Sequence, residues 1–201
     1  MGASAGIRSI RPEEPAFGTL SLAEIAKAAA EKRLPPVDSW NPQHCGDSDM
    51  IIRRDGTWLH AGTPIGRPAL VRLFATILRR EPDGSYVLVT PVEKLSIAVE
   101  DAPLLAVEVR SEGRGPERQL GFRLATDELV MAGPANPLRF AVDADGTPRP
   151  YLHVRGRIGN GIEALVGRNA FYDLAEWALN EADGNGPVGL WSGGAFFAFP
   201  H

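Results

Sequence analysis

The stretch Ile65-Gly66-Arg67-Pro68-Ala69-Leu70 lies over Val166-Gly167-Arg168-Asn169-Ala170-Phe171 without a gap, and this pairing decides how the chain is read. The register continues down both segments. Leu73 falls on Leu174, Ile77 on Ala178 and Leu78 on Leu179, which is the spacing of an apolar helix face. One residue of slippage later, Leu88-Val89-Thr90 falls on Leu190-Trp191-Ser192. Upstream, Asp55-Gly56-Thr57 resembles Asp145-Gly146-Thr147, a weaker match because Asp-Gly is a general turn signal. The shared unit reads strand, strand, helix, strand. The expected fold is therefore α+β, with two domains related by internal duplication. The repeat is far too long for a solenoid. A seam between two such halves is a common place for a ligand.

Working outward, residues 1–18 read as a loose tail, 19–96 as an N-terminal α+β domain, and 97–201 as a β-rich C-terminal domain with a helix near 170–181. Ser21 with Glu24 three residues later predicts a capped helix, stapled by Leu20 and Ile25, running to about Arg33 and stopped by Pro35-Pro36. Met50–Arg53, the Asp55-Gly56 turn and Thr57–His60 predict a hairpin. Pro68 opens a second helix whose apolar set is Leu70, Val71, Leu73, Phe74, Ile77 and Leu78. Tyr86–Thr90 is a strand. Beyond Ile97, segments rich in β-formers alternate with Gly, Pro, Asn and Asp, which predicts a small antiparallel sheet.

Composition narrows the function classes. The chain has 201 residues, 44% of them hydrophobic and 23% charged, enough apolar material for a substantial core. Its 21 basic and 25 acidic residues give a net charge of −4, so no broad positive field is available for general nucleic-acid binding. The single cysteine, Cys45, excludes an intrachain disulfide and favours a reducing compartment. The first 20 residues hold no apolar leader core, and no apolar run approaches the roughly 18 residues that span a bilayer. The expected location is cytoplasmic, without membrane insertion.

Several groups are candidates for chemistry. Arg67 and Arg168 precede helices at repeat-equivalent points, where a guanidinium and helix N–H groups can hold an anion; each also reads as a group that bonds loop carbonyls and fixes its turn. Thr90-Pro91-Val92-Glu93-Lys94 puts a hydroxyl, a carboxylate and an ammonium behind one strand, fit for a polar ligand or for acid/base work, and equally for a solvated loop. Arg155 and Arg157 alternate and would share one strand face, beside the glycines at 156, 159 and 161, an order that fits neither a dinucleotide fingerprint nor a phosphate-binding loop and reads first as a flexible loop. Trp191 can stack on a ring, although a core role is the more frequent one. His44, Cys45 and Asp47 lack the spacing of a metal site.

Trp40-Asn41-Pro42, Asp55-Gly56-Thr57-Trp58, Gly62–Arg67, Leu73-Phe74, Leu88–Lys94 and Val99–Pro103 resemble a proteobacterial family, domain of unknown function twelve-eighty-five. Pro150-Tyr151-Leu152, Val154-Arg155, Ala164–Val166, Arg168 and Trp191-Ser192 extend the likeness, so that it covers about 35–199. The resemblance implies a duplicated two-domain fold, the second domain a pleckstrin-homology-like small barrel or sheet with a helix. It also implies a ligand pocket at the domain interface, a nucleotide-like ligand and a role in signal transduction. The expected ligand set is Arg67, Thr90, Glu93, Lys94, Arg155, Arg168, Trp191 and Ser192. No catalytic residue, metal or named cofactor is assigned. The rival readings are an enzyme using Glu93 and Lys94 as an acid/base pair, and a protein-interaction adaptor with no small ligand.

Overall fold

The computed structural model describes residues 17–143, 146–182, 184 and 186–200. Of the expected tail, only Phe17 and Gly18 lie within the described residues; they belong to a 3-10 turn in which Phe17 is buried. Asp145, of the second Asp-Gly turn, lies outside them.

Helix α1 (Leu22–Glu31) begins with the expected capping box. Glu24 N–H donates to Ser21 Oγ at 3.3 Å, and Ser21 N–H donates to Glu24 Oε2 at 2.7 Å. The Ser21 N–H, and after it the Ser21 hydroxyl donating at 2.8 Å, hold the Glu24 carboxyl below its ordinary value. After a 3-10 turn at Val37–Ser39 the first sheet forms from β1 (His44–Ile52), β2 (Trp58–His60), β3 (Thr63–Pro64), β4 (Leu78–Arg80), β5 (Tyr86–Val89) and β6 (Lys94–Val99). Helix α2 (Pro68–Thr76) connects β3 to β4. The second sheet forms from β7 (Leu104–Glu112), β8 (Gln119–Leu124), β9 (Leu129–Met131), β10 (Leu138–Val142), β11 (Pro148–Arg155) and β12 (Ile162–Val166). Helix α3 (Arg168–Glu181) follows, then the hairpin β13 (Gly189–Ser192) and β14 (Ala195–Ala198).

The duplication appears at two levels. The aligned strand-strand-helix-strand unit occurs as β2-β3-α2-β5 and as β11-β12-α3-β13, with β4 inserted in the first copy where the second continues as helix. The sheets themselves also repeat, in another phase. The first has the order β3-β2-β1-β6-β5-β4 and the second β10-β11-β12-β7-β8-β9. Each is two antiparallel three-stranded meanders joined through its first and last strands, β1 parallel to β6 and β7 parallel to β12. In chain order these are one topology. The helices fall at different points of it, since α2 joins the meanders of the first sheet while α3 leaves the second. The expected purely antiparallel C-terminal sheet is therefore a mixed one, because its two ends pair with each other.

One core runs through both sheets, from Ile52, Trp58, Leu78 and Leu88 to Leu104, Phe122, Leu152 and Leu174. Leu78 is fully buried, worth about 2 kcal/mol for a side chain of that size. It was expected on helix α2 and instead opens β4. The helix ends at Thr76, with Ile77 as its C-cap, so that Leu78 meets the core from an edge strand. Helix α1 packs on the second sheet through a separate small cluster of Phe17, Leu22 and Ile25 against Leu129 and Met131. Among the described residues no helix is long and apolar enough to cross a membrane.

Candidate functional site

Where the two sheets meet, the edge strand β4 faces the turn between β11 and β12. This turn is tight. Gly156 has φ +82, which an L side chain rarely adopts. A Cβ on Gly161 would stand 2.3 Å from Arg155 O and 2.6 Å from His153 Cε1. The glycine-rich stretch expected to be a flexible loop is thus a close-packed turn that requires glycine. Arg155 ends β11, whereas Arg157 lies in the turn, so they do not share the strand face expected from their alternation. Both still reach the same place.

That place is a cavity of about 280 Å³ lined by Arg79, Arg80, Arg155, Arg157, Asn160 and Asp38 among its polar groups. Four arginines and one aspartate thus contribute to its lining. Arg79 is fixed by its neighbours, its Nε donating to Glu81 Oε1 at 2.7 Å and its Nη1 to the carbonyls of Val37 and Trp40. Arg80 lies over the Tyr86 ring, 5.5 Å from its centre. Arg155 crosses the seam to donate to Ala75 O in the last turn of α2, and also reaches Glu128 Oε2 at 3.4 Å. Burial pushes its guanidinium below the ordinary value, opposed by Glu128 and Asp38. Its Nε, like His153 Nδ1, is buried with no hydrogen-bond partner among the described residues. Asn160 Nδ2 donates across the seam to Glu81 O at 3.1 Å. Arg157 is exposed; its carbonyl accepts from Asn160 N–H at 3.0 Å, and its guanidinium makes no hydrogen bond or ion pair among the described residues.

Of the eight residues expected to hold a ligand, only Arg155 lines this cavity. Lys94 stands behind it, 3.4 Å from Glu81 Oε2, on the carboxylate that also takes Arg79. Thr90 closes the β5–β6 turn, where its N–H donates to Glu93 O at 2.8 Å and its Oγ1 accepts from Glu93 N–H at 3.1 Å. Glu93 is exposed, and the nearest anion to Lys94 is Glu81, so the Glu93–Lys94 acid/base pair is not assembled. Arg67 is the N-cap of α2 and Arg168 the first residue of α3; both are exposed and neither lines the seam. Ser192 is fully buried, accepting from Leu120 N–H at 2.9 Å and donating to Ala132 O at 2.7 Å, which pins the last hairpin to the second sheet. Trp191 packs on Phe196 beside a different cavity, at the end of α3. The expected set is therefore dispersed, because equivalent points of the repeated unit occupy different points of the two sheets.

Arg79 and Arg80 were missed because Ile77 and Leu78 continue the apolar period of α2, which hides the start of β4. The signal available was the Arg-Arg pair directly after a fully apolar helix face. Among the described residues, no group of histidine, cysteine and carboxylate side chains is placed to hold a metal.

Comparison with known proteins adds the family. Residues 35–102 match the sequence model described as Domain of unknown function (DUF1285), N-terminal domain, and residues 103–199 match Protein of unknown function (DUF1285), C-terminal domain. The fold resembles the crystal structure of a DUF1285 family protein from Silicibacter pomeroyi DSS-3, with 46% identity, a TM-score of 0.75, and coverage of 87% of this chain and 93% of that one. A DUF1285 family protein from Shewanella baltica OS155 is similar at 28% identity and a TM-score of 0.47, over 67% of this chain and 92% of that one. No curated protein matches the chain.

Proposed function

The chain belongs to the DUF1285 family, and from that premise we propose that it is a regulatory module that takes a small oxyanion into the arginine-lined cavity between its two sheets. The observation that carries this is Arg157, an unpartnered guanidinium among the described residues at the mouth of a cavity that already gathers Arg79, Arg80 and Arg155. Guanidinium groups bind phosphate and carboxylate bidentately, and of the four here Arg79 and Arg155 already have carboxylate partners while Arg80 and Arg157 have none among the described residues. Asn160 adds a neutral donor. The volume lies near the lower end of ligand cavities, which begin at roughly 300 Å³. No aromatic residue lines it. A nucleotide-like ligand, as the family resemblance implies, would meet this cavity through its phosphate alone. Because the lining comes from both sheets, occupancy fastens one sheet to the other, which is what a signalling role asks of a ligand.

The test is calorimetric titration of the full chain with inorganic phosphate and with adenosine monophosphate. Phosphate should bind, the nucleotide should bind no more tightly, and Arg157→Ala should weaken both by about tenfold or more, as expected for a lost hydrogen bond to a charged group. Binding that is absent, or indifferent to Arg157→Ala, overturns the reading.

A further inference from the structure

Glu128 is shared by two cations from different parts of the fold. Its Oε2 lies 3.0 Å from Lys32 Nζ and 3.4 Å from Arg155 Nη1. Lys32 is the C-cap of α1, and Arg155 lines the seam cavity. Lys32 does not line that cavity; it borders another of about 690 Å³ between α1 and the second sheet. Glu128 is 8% exposed, so its charge depends on these partners rather than on water.

Helix α1 is attached as a unit of its own. It precedes residue 35, where the family's N-terminal domain begins. Its apolar contacts form a cluster separate from the main core. Leu22 N–H donates to Glu112 Oε1 at 3.0 Å, and Arg110 holds Phe17 O at 3.3 Å. The approach is close only because residue 121 is glycine: a Cβ there would meet Leu22 Cδ2 at 2.7 Å. A small cluster with few polar ties can open while the core stays closed.

Resting on the seam reading above, we propose that α1 is a latch, and that its docking and the binding of an oxyanion at the seam strengthen each other through Glu128. With α1 docked, Lys32 neutralises Glu128 and leaves the positive charge of Arg155 to the cavity. With α1 lifted, Glu128 has Arg155 alone, and its carboxylate opposes any anion that Arg155 would hold. An anion at Arg155 in turn leaves Glu128 more dependent on Lys32. Both directions carry the same sign, as linkage requires.

The experiment uses the full chain and inorganic phosphate. Lys32→Ala should weaken phosphate binding by about fivefold, the low end of allosteric couplings. Lys32→Arg should restore it. Lys27→Ala removes the same charge from α1 at an exposed site paired, among the described residues, with Glu31, and should change nothing. Saturating phosphate should slow hydrogen exchange at the α1 amides in the wild type. If phosphate binds the wild type and Lys32→Ala equally, and α1 exchange is unchanged by phosphate, the latch is overturned while the seam site stands. If phosphate does not bind the wild type, the seam reading falls and the latch with it.

Discussion

The turn from β5 to β6 and the turn from β11 to β12 hold the same place in the two sheets and do opposite things. The first satisfies itself. Thr90 bonds Glu93 three times, and Val92 is left 84% exposed. The second turns its polar groups outward. Arg155 reaches Ala75 O, Asn160 reaches Glu81 O, and Arg157 is left over. Duplication copied the topology, but the turn composition decided which copy can meet a ligand. A turn whose donors and acceptors are consumed locally has none to offer, whereas a glycine-rich turn that packs backbone on backbone leaves its side chains available.

The contrast can be broken most sharply at Gly161. Gly161→Ala drives a methyl into Arg155 O and His153, and should cost about 3 kcal/mol, the upper range of overpacking, read as a lower urea midpoint. A shift near zero would mean that the turn is loose and the two turns differ less than described. Asn160→Ala removes one hydrogen bond across the seam and should cost about 1 kcal/mol. Thr90→Ala, at the equivalent turn, should cost about 0.5 kcal/mol and leave phosphate binding untouched, since its bonds stay within an exposed loop. Equal costs at positions 90 and 160 would erase the distinction.

The smallest effect concerns α1, which the second sheet carries and the first does not. The Glu24 carboxyl is depressed by the Ser21 backbone N–H and then by the Ser21 hydroxyl. A depressed carboxylate contributes stability that is present above its unfolded value and lost as pH falls through the folded one. Helix α1 exchange protection should therefore fall below pH 4.5, the ordinary value of that group, and Glu24→Gln should flatten this dependence.

What the sequence made legible was local. Ser21 with Glu24, Asp55-Gly56 and Pro68 each act within four residues, and each stands where expected. Leu78 misled because an apolar residue one period beyond Phe74 suits a helix and an edge strand equally; only the cap at Ile77 separates them, and with it went Arg79 and Arg80. The parallel pairs β1–β6 and β7–β12 join residues about fifty and about sixty positions apart and leave no local trace, so the phase of the sheet repeat stayed hidden. Ser192 shows the same limit at a site, since a hydroxyl beside a tryptophan suggests a ligand contact until its burial and its two backbone partners are seen.

The parallel pair at the centre of each sheet also sets an order of assembly. Hairpins within a meander close short loops, whereas β1 with β6, and β7 with β12, close the longest loop in their sheet. Loop-closure entropy makes such distant pairings the slow ones. Each sheet thus has its middle, not its edges, as the last piece to be won. A chain interrupted during synthesis before β12 holds β7 with one side unpaired, and that open strand is where a newly made molecule of this kind is most exposed to pairing with the wrong neighbour.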